Sequence, residues 1–251
     1  MKHEDFDRYN GEGTDLRKMQ MKMLDILDVI VEILNRNDIP YWIEGGTLLG
    51  AVRHGGFIPW DDDIDIDVPS RYYKKARVIL KKELPDDMIL QYRGDDGYKE
   101  RWIKVRDKYS IIEEKEGVCF RHKGIFVDIF EARSIGRKEH HLKRTIDILI
   151  RKYRREGRRV MRTIFKVLYH CVTPFFVLEK KTLFMSDDIF VRWAFPLSLV
   201  ETLGVIKFEN KIYNAPNDID KYLKIHYGDY MRLPAEDERE NHAISITFLE
   251  K

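Results

Sequence analysis

The acidic run between residues 61 and 67 contains the side chains in this sequence that are best suited to chemistry. Asp61, Asp63, Asp65 and Asp67 occupy every second position, and the aliphatic residues Ile64, Ile66 and Val68 occupy positions between and after them. In an extended strand alternate side chains share a face, so these carboxylates would lie side by side. Neighbouring carboxylates raise one another's pKa unless a cation neutralises them, and Mg²⁺ prefers such oxygen ligands. The pattern therefore predicts a divalent metal site.

Two other interpretations of the acidic run explain less. A calcium-binding loop beginning at Asp63 would need glycine at its sixth position and glutamate at its twelfth, where this sequence has Val68 and Lys74. Charges also protect exposed edge strands from aggregation. Edge protection needs only a few charges, however, and it does not account for the glycines upstream.

The upstream glycines predict a phosphate-binding turn. Gly45, Gly46 and Thr47 follow the apolar run Tyr41–Ile43 and precede residues with helical spacing. A helix N-terminus offers free backbone N–H groups and the positive end of a dipole, and both attract phosphate. Glycine allows close approach because it has no Cβ atom. A phosphate site and a metal site are thus expected close together.

Two later strands contain further charged candidates. Asp128 lies in the apolar strand predicted over residues 125–130, where an ionised carboxylate is costly to bury without a partner. Lys104 and Arg106 alternate on the strand predicted over residues 101–106, so they would share a face and could reach a diphosphate. A hydrogen-bonded core aspartate and solvated cations are the alternatives at these positions.

A long motif resembles the signature of a known family. The run GGTLLGAVRHGGFIPWDDDIDI is similar to that of the LicD family, which comprises bacterial phosphocholine transferases related to the fukutin proteins and belongs to the nucleotidyltransferase superfold. The segments KVRDKYS, GIFVDIF and YLKIHYGDYMRLP, with a following Asn241 and His242, are similar as well. Residues 135 to 205 are the part that the resemblance constrains least.

The resemblance implies a role for each candidate residue. Asp63, Asp65 and Asp128 would be catalytic and would bind Mg²⁺ or Mn²⁺, with Asp65 and Asp128 both open as the general base. The family motif also includes Arg53, which could bind phosphate through two hydrogen bonds, and His54, which could instead stabilise the turn. His242 occupies a family-like position without an assigned role. The implied substrate-binding residues are Gly45, Gly46, Thr47, Arg53, His54, Lys104, Arg106 and His242.

The resemblance also implies a reaction. A phospho-alcohol group, phosphocholine in the first place, would move from a CDP-activated donor such as CDP-choline to a hydroxyl of a cell-surface glycan, which could be lipid-linked or teichoic-like, and CMP would leave. CDP-ribitol is another candidate donor. A nucleotidyltransferase that moves NMP from NTP and releases pyrophosphate would need the same parts, and a non-catalytic binding module is the third hypothesis.

The surrounding elements predict an α+β fold with an α/β-type core. Helices are expected at residues 16–37, 46–54 and 70–82, and strands at 41–43, 61–68, 88–92, 101–106, 111–114 and 125–130. They suit a nucleotidyltransferase-like mixed sheet flanked by helices. We predict a catalytic core over residues 1–135 and a mainly helical part over residues 136–251, which would pack on the core and complete the site.

The C-terminal half contains three further patterns. Residues 137–166 combine many Lys and Arg residues with apolar ones, which predicts a basic amphipathic helix that contacts a membrane surface or polyanion, or else is simply solvated. Residues 195–206 predict a core helix. Aromatic cages bind quaternary ammonium groups, so the tyrosines of the last segment are candidates for one: Tyr222, Tyr227 and Tyr230.

Composition restricts the compartment and the partners. The net charge of +2 indicates no nucleic-acid partner, and Cys119 and Cys171 are too far apart in sequence to suggest a disulfide framework or a zinc site. The polar N-terminus lacks a signal peptide's apolar core, and no apolar run is long enough to span a bilayer. We therefore expect a cytoplasmic protein, which could lie peripherally at the inner face of the membrane.

Overall fold

A long amphipathic helix begins the ordered core. The computed structural model describes residues 6–95, 98–114, 121–186, 193–239 and 243–250. A short helix α1 (Asp7–Asn10) precedes α2 (Asp15–Arg36), whose N-terminus is capped by Thr14 Oγ1 accepting a hydrogen bond from the backbone N–H of Arg17. Apolar residues at helical spacing bury one face of α2, as predicted.

A sheet built mainly from short strands positions the candidate residues. The strands are β1 (Trp42–Ile43), β2 (Asp65–Pro69), β3 (Met88–Gln91), β4 (Ile103–Asp107) and β6 (Phe126–Ile135). Their order is β1-β2-β6-β4-β3, with antiparallel pairing between β1 and β2, between β4 and β6, and between β3 and β4. The central strand β6 therefore lies between the strand that holds Asp65 and the strand that holds Lys104.

Helices and two small two-stranded sheets accompany this sheet, and the protein has the predicted α+β fold. β5 (Ser110–Glu114) pairs with β11 (Ala243–Phe248), and β9 (Gly204–Phe208) pairs with β10 (Lys211–Ala215). The remaining helices of this part are α3 (Gly45–Arg53), α4 (Ser70–Glu83) and α8 (Ile219–Tyr227).

The chain forms two compact units. One contains Met1–Glu131 and Leu203–Lys251, and the other contains Ala132–Thr202. This division differs from the predicted boundary at residues 135/136, because residues 203–251 supply β9, β10, β11 and α8 to the first unit. No helix in the described ranges combines the length and the apolar character that crossing a membrane requires.

The second unit corrects two predicted helices. It contains α5 (Arg137–Arg155), α6 (Arg159–Cys171), β7 (Leu183–Met185), β8 (Phe195–Pro196) and α7 (Ser198–Glu201). The expected single helix over residues 137–166 is broken at Gly157, whose φ of 69° favours glycine. Of the core helix predicted over residues 195–206 only the four-residue α7 forms, because residues 195–196 pair with β7 and residue 204 already begins β9.

Candidate active site

The acidic run is only partly a strand. β2 begins at Asp65, so Asp61 and Asp63 precede it, and the prediction of one strand over residues 61–68 is wrong at its first half. The Nε2 group of Gln20 donates a 2.9 Å hydrogen bond to the backbone carbonyl of Asp61, which helps to fix this irregular segment. Asp67 is completely buried, so it does not share an open face with the other aspartates.

Carboxylates from several segments nevertheless converge on Asp65. Burial raises the pKa of Asp65 well above its ordinary value, and the charges of Asp63, Asp128, Glu44 and Asp61 raise it further. These residues come from the acidic run, from β6 and from the N-terminus of α3. The side chains of Asp63, Asp65 and Asp128, predicted to act together, therefore lie close enough to affect one another.

Asp128 is buried and bonded to a lysine. Asp128 Oδ2 accepts a 2.8 Å hydrogen bond from Lys104 Nζ, its cross-strand partner on β4, while its backbone N–H donates to the carbonyl of Ile64 at 2.9 Å. Burial raises the pKa of Asp128, and the charges of Lys104 and Arg106 oppose this rise. In the described part of the chain, the buried Oδ1 atom of Asp128 has no partner within hydrogen-bond distance, although the indole N–H of Trp102 is near enough to lower the pKa of Asp128.

These carboxylates have the chemistry that a hard divalent cation requires, but not yet the arrangement of a formed site. Within the described ranges, no three His, Cys, Asp or Glu side chains already form a metal-binding group. The donor set is nonetheless entirely carboxylate oxygen, it contains the orphaned Oδ1 of Asp128, and Lys104 is the cation that pairs with that carboxylate. A cation bound by Asp63, Asp65 and Asp128 would satisfy Oδ1 and relieve the repulsion around Asp65.

The two glycines at the start of α3 lie against the acidic residues. Gly45 has a φ of 54°, and a Cβ atom there would lie 3.6 Å from Asp65 Oδ2. A Cβ atom on Gly46 would lie only 2.8 Å from Asp61 Oδ2. The absence of both Cβ atoms lets the carboxylates approach the positive end of the helix. The predicted phosphate turn and the acidic site are thus neighbours.

Thr47 has a structural contact that the sequence did not indicate. Its buried Oγ1 atom accepts a 2.9 Å hydrogen bond from the backbone N–H of Asp65. This bond connects the first turn of α3 to the first residue of β2. Thr47 therefore positions Asp65, and its hydroxyl points to protein and not to an open phosphate site.

Arg53 lines a cleft of about 640 Å³. Arg53 Nη1 donates hydrogen bonds to the backbone carbonyls of Tyr230 at 3.2 Å and Arg232 at 3.4 Å. Burial lowers the pKa of Arg53, and the charge of Asp61 opposes that effect. The cleft is amphipathic, because its lining includes the aromatic residues Trp60, Tyr227 and Tyr230.

The contacts of His54 are those of a residue with a structural role. Its Nε2 atom accepts a 3.0 Å hydrogen bond from Arg53 Nε, and its ring packs edge-on against Phe6. Burial, followed by the charges of Arg53 and Arg239, lowers the pKa of His54 to about 4. The imidazole is therefore neutral near pH 7, as an acceptor from arginine must be.

Arg106 is the predicted substrate contact that the structure favours least. Its guanidinium is buried, where Nε donates to Gln91 Oε1 and Nη1 donates to the carbonyl of Gly124, both at 2.7 Å. Through these hydrogen bonds Arg106 connects its own strand β4 to β3 and to the segment before β6. His242 and Cys119 lie outside the described residues.

The sequence analysis named Tyr222 and Tyr227 only as candidates for an aromatic cage, and it missed Glu44 and the contact between α8 and the start of α3. Tyr222 Oη donates a 3.1 Å hydrogen bond to Glu44 Oε2, and both side chains are buried. The pKa of Tyr227 is raised by burial and then by the charges of Glu44, Asp61, Asp65 and Asp63. Tyr222 and Glu44 are about 180 residues apart, so no local pattern could have paired them.

Comparison with known proteins agrees with this arrangement. Residues 38–155 match the family described as LicD/FKTN/FKRP, nucleotidyltransferase domain. The chain is 25% identical to lipopolysaccharide cholinephosphotransferase LicD of Haemophilus influenzae over 276 residues, which covers 93% of this chain and 98% of that protein.

Two human proteins are similar over shorter stretches. Ribitol 5-phosphate transferase FKRP is 51% identical over 39 residues, 16% of this chain and 8% of that protein. Ribitol-5-phosphate transferase FKTN is 24% identical over 127 residues, 50% of this chain and 24% of that protein. The matched range 38–155 contains every predicted site residue except His242. Through this range, which is just under half of the chain, the protein matches the LicD family.

Proposed function

We propose that this protein is a metal-dependent transferase that moves a phospho-alcohol group from a CDP-activated donor to a hydroxyl of a glycan and releases CMP. The similar proteins are a cholinephosphotransferase and two ribitol-phosphate transferases by name. The observation that carries the proposal is the convergence of carboxylates from the acidic run and β6 beside the glycine-opened N-terminus of α3. Phosphocholine is our first candidate for the transferred group.

The acidic residues would hold Mg²⁺ or Mn²⁺ against the donor diphosphate. Asp63, Asp65 and Asp128 are the proposed ligands, and a bound ion would neutralise phosphate charge as the oxygen nucleophile approaches. Lys104 adds a fixed positive charge beside Asp128. The backbone N–H groups at Gly45 and Gly46 would contribute further donors to a phosphate oxygen.

Asp65 is better placed than Asp128 to accept the proton of the acceptor hydroxyl. The choice rests on access to the acceptor, because Asp65 is partly exposed, and a bound cation would offset the rise that burial causes in its pKa in the metal-free protein. Asp128 is less available because Lys104 Nζ donates to it at 2.8 Å. Thr47 would keep the base in position through its bond to the Asp65 backbone.

We assign the part of the donor beyond its phosphates to the cleft beside Arg53. A volume of about 640 Å³ suits a nucleotide-sized ligand. Trp60 and Tyr230 offer aromatic faces for a base or an alkylammonium group. Tyr227 lines the cleft and also lies near Gly45, so a ligand there would be continuous with the acidic residues.

The test is to identify the products. Purified protein would be incubated with Mg²⁺, a glycan acceptor and, separately, CDP-choline, CDP-ribitol, CTP and ATP. We expect CMP and a modified glycan from one of the CDP-linked donors. Pyrophosphate release from CTP or ATP would instead establish a nucleotidyltransferase and overturn the proposal. The Asp63→Asn variant is the matched control, because it retains the side-chain shape and removes a proposed metal ligand.

A further inference from the structure

The second unit exposes an apolar helix face. On α6, Val160, Ile164, Val167 and Leu168 recur at helical spacing and are 73%, 52%, 58% and 45% exposed. No residue of α6 is buried among its described side chains. α6 contacts α5 elsewhere on its surface, where the ring of Phe165 stacks on a tyrosine of α5 at 5.5 Å.

The turn after α6 extends this apolar surface. Phe175, Val177 and Leu178 are 83%, 67% and 99% exposed. The turn is attached to α5, because the Glu179 carboxylate accepts hydrogen bonds from the backbone N–H groups of Lys138 and Glu139. We call the exposed apolar residues of α6 and this turn the apolar ridge. Half of the large hydrophobic residues that are exposed in the described ranges lie between positions 142 and 178.

A strongly basic surface accompanies the ridge. Residues 137–171 contain twelve Lys and Arg against three Asp and Glu, so this segment has a charge of +9 while the whole chain has +2. Lys152, Arg154, Arg155 and Arg159 cluster at the turn between α5 and α6, and all four are exposed. Among the described residues, these four form no salt bridge.

We propose that α5, α6 and the following turn bind the surface of an anionic lipid bilayer. The exposed apolar side chains would enter the boundary between headgroups and acyl chains, and the basic cluster would contact anionic headgroups. A nucleic acid would satisfy the basic cluster but would leave the ridge exposed to water. A second copy of the chain could cover the ridge, but two segments of charge +9 would repel each other.

This inference is independent of the proposed transfer reaction, since membrane binding can be measured without turnover. The experiment is flotation of the full chain with vesicles of phosphatidylcholine, with or without phosphatidylglycerol, over a range of salt concentrations. The test variant is Phe175→Ser with Leu178→Ser. The matched control is Val205→Ser with Ile212→Ser, which removes two exposed apolar residues of 64% and 70% exposure from the β9–β10 hairpin of the other unit.

We expect the wild-type chain to float with the anionic vesicles and less so as salt rises, because salt screens the basic cluster. Affinity should fall by about tenfold or more in the test variant and stay unchanged in the control. The proposal is overturned if the wild type does not float with anionic vesicles, or if the two double variants bind these vesicles with equal affinity. The proposal is also overturned if the wild type forms a dimer that the Phe175→Ser, Leu178→Ser variant does not form, and the wild type does not bind vesicles. That result would assign the ridge to contact with a second copy of the chain.

Discussion

The buried pair of Lys104 and Asp128 gives the sharpest test of the acidic site. We consider the replacement Lys104→Met, which keeps the length of the side chain and removes its charge. The two side chains are only 7% and 9% exposed, and the Nζ–Oδ2 distance is 2.8 Å. The ammonium also lies 3.4 Å from the ring centroid of Phe126. Removing it leaves the Asp128 carboxylate buried without that cation.

The expected loss follows from the geometry. At 2.8 Å and an effective dielectric constant of about 20, Coulomb attraction is about 6 kcal/mol, and the desolvation of both ions offsets much of it. Removing one partner of a buried pair costs about 3–5 kcal/mol. We expect a loss of this size in the free energy of unfolding for Lys104→Met. Asp128→Asn should cost a similar amount, because it leaves the ammonium buried.

The direction in which the stability of Lys104→Met changes with pH also follows from the structure. Burial raises the pKa of Asp128, and the loss of the Lys104 charge should raise it further. An acid with a raised pKa in the folded state binds more protons there than in the unfolded state, so stability falls as pH rises through the folded-state pKa. Lys104→Met should therefore be most destabilised at high pH and should recover at acidic pH.

The assay is urea unfolding of wild type, both single variants and the double variant, in buffers with and without Mg²⁺. The double-mutant cycle should give a coupling energy of about 3 kcal/mol. Mg²⁺ should restore part of the stability of Lys104→Met, because the metal replaces the lost cation beside Asp128. Lys99→Met, at an exposed position, should change stability by less than about 0.5 kcal/mol. A coupling energy near zero, or no Mg²⁺ effect on Lys104→Met, would refute the reasoning.

Three further predictions concern neighbouring residues. Asp63→Asn should abolish CMP release. Its free energy of unfolding in urea without metal should equal that of the wild type or be up to about 1 kcal/mol higher, because the charge of Asp63 raises the pKa of Asp65 and the two carboxylates therefore repel each other. A clear loss of stability would contradict this. Gly46→Ala should lower turnover while the melting temperature changes little, since its Cβ meets only the movable carboxylate of Asp61. Gly50→Ala should destabilise strongly, since its Cβ would lie 2.5 Å from a backbone carbonyl; equal melting temperatures for the two variants would be evidence against this distinction. The protonation of His54 should cost about 1–2 kcal/mol of stability as pH falls from about 6.5 to about 4, since the pKa of His54 is lowered on folding and the group is partly exposed. The buried aspartates oppose this change, so the cost is read as the difference between the wild type and His54→Gln; identical pH profiles of the two proteins in thermal unfolding would disprove the link.

The local sequence predicts most of the first unit. The 3.6-residue period of α2, the glycines that open α3 and the apolar strands around Asp128 are local patterns, and the structure has these elements near the expected positions. The failures arise where neighbours override local preference. Asp61 does not start a strand, because its backbone N–H donates to the carbonyl of Ile58 in a turn and β2 begins only at Asp65. Pro196 ends a two-residue strand where an apolar run had suggested a helix.

The sequence by itself determined which residue types are available for chemistry: a glycine-opened helix, a cluster of aspartates and a further buried aspartate, all within a motif of the LicD family. Tertiary structure decided their partners, because side chains far apart in sequence become neighbours only when strands pair and helices pack. Strand pairing placed Lys104 on Asp128, and the packing of α8 placed Tyr222 on Glu44. It also committed Arg106 to the core, since a buried guanidinium must bond to the acceptors that the fold supplies.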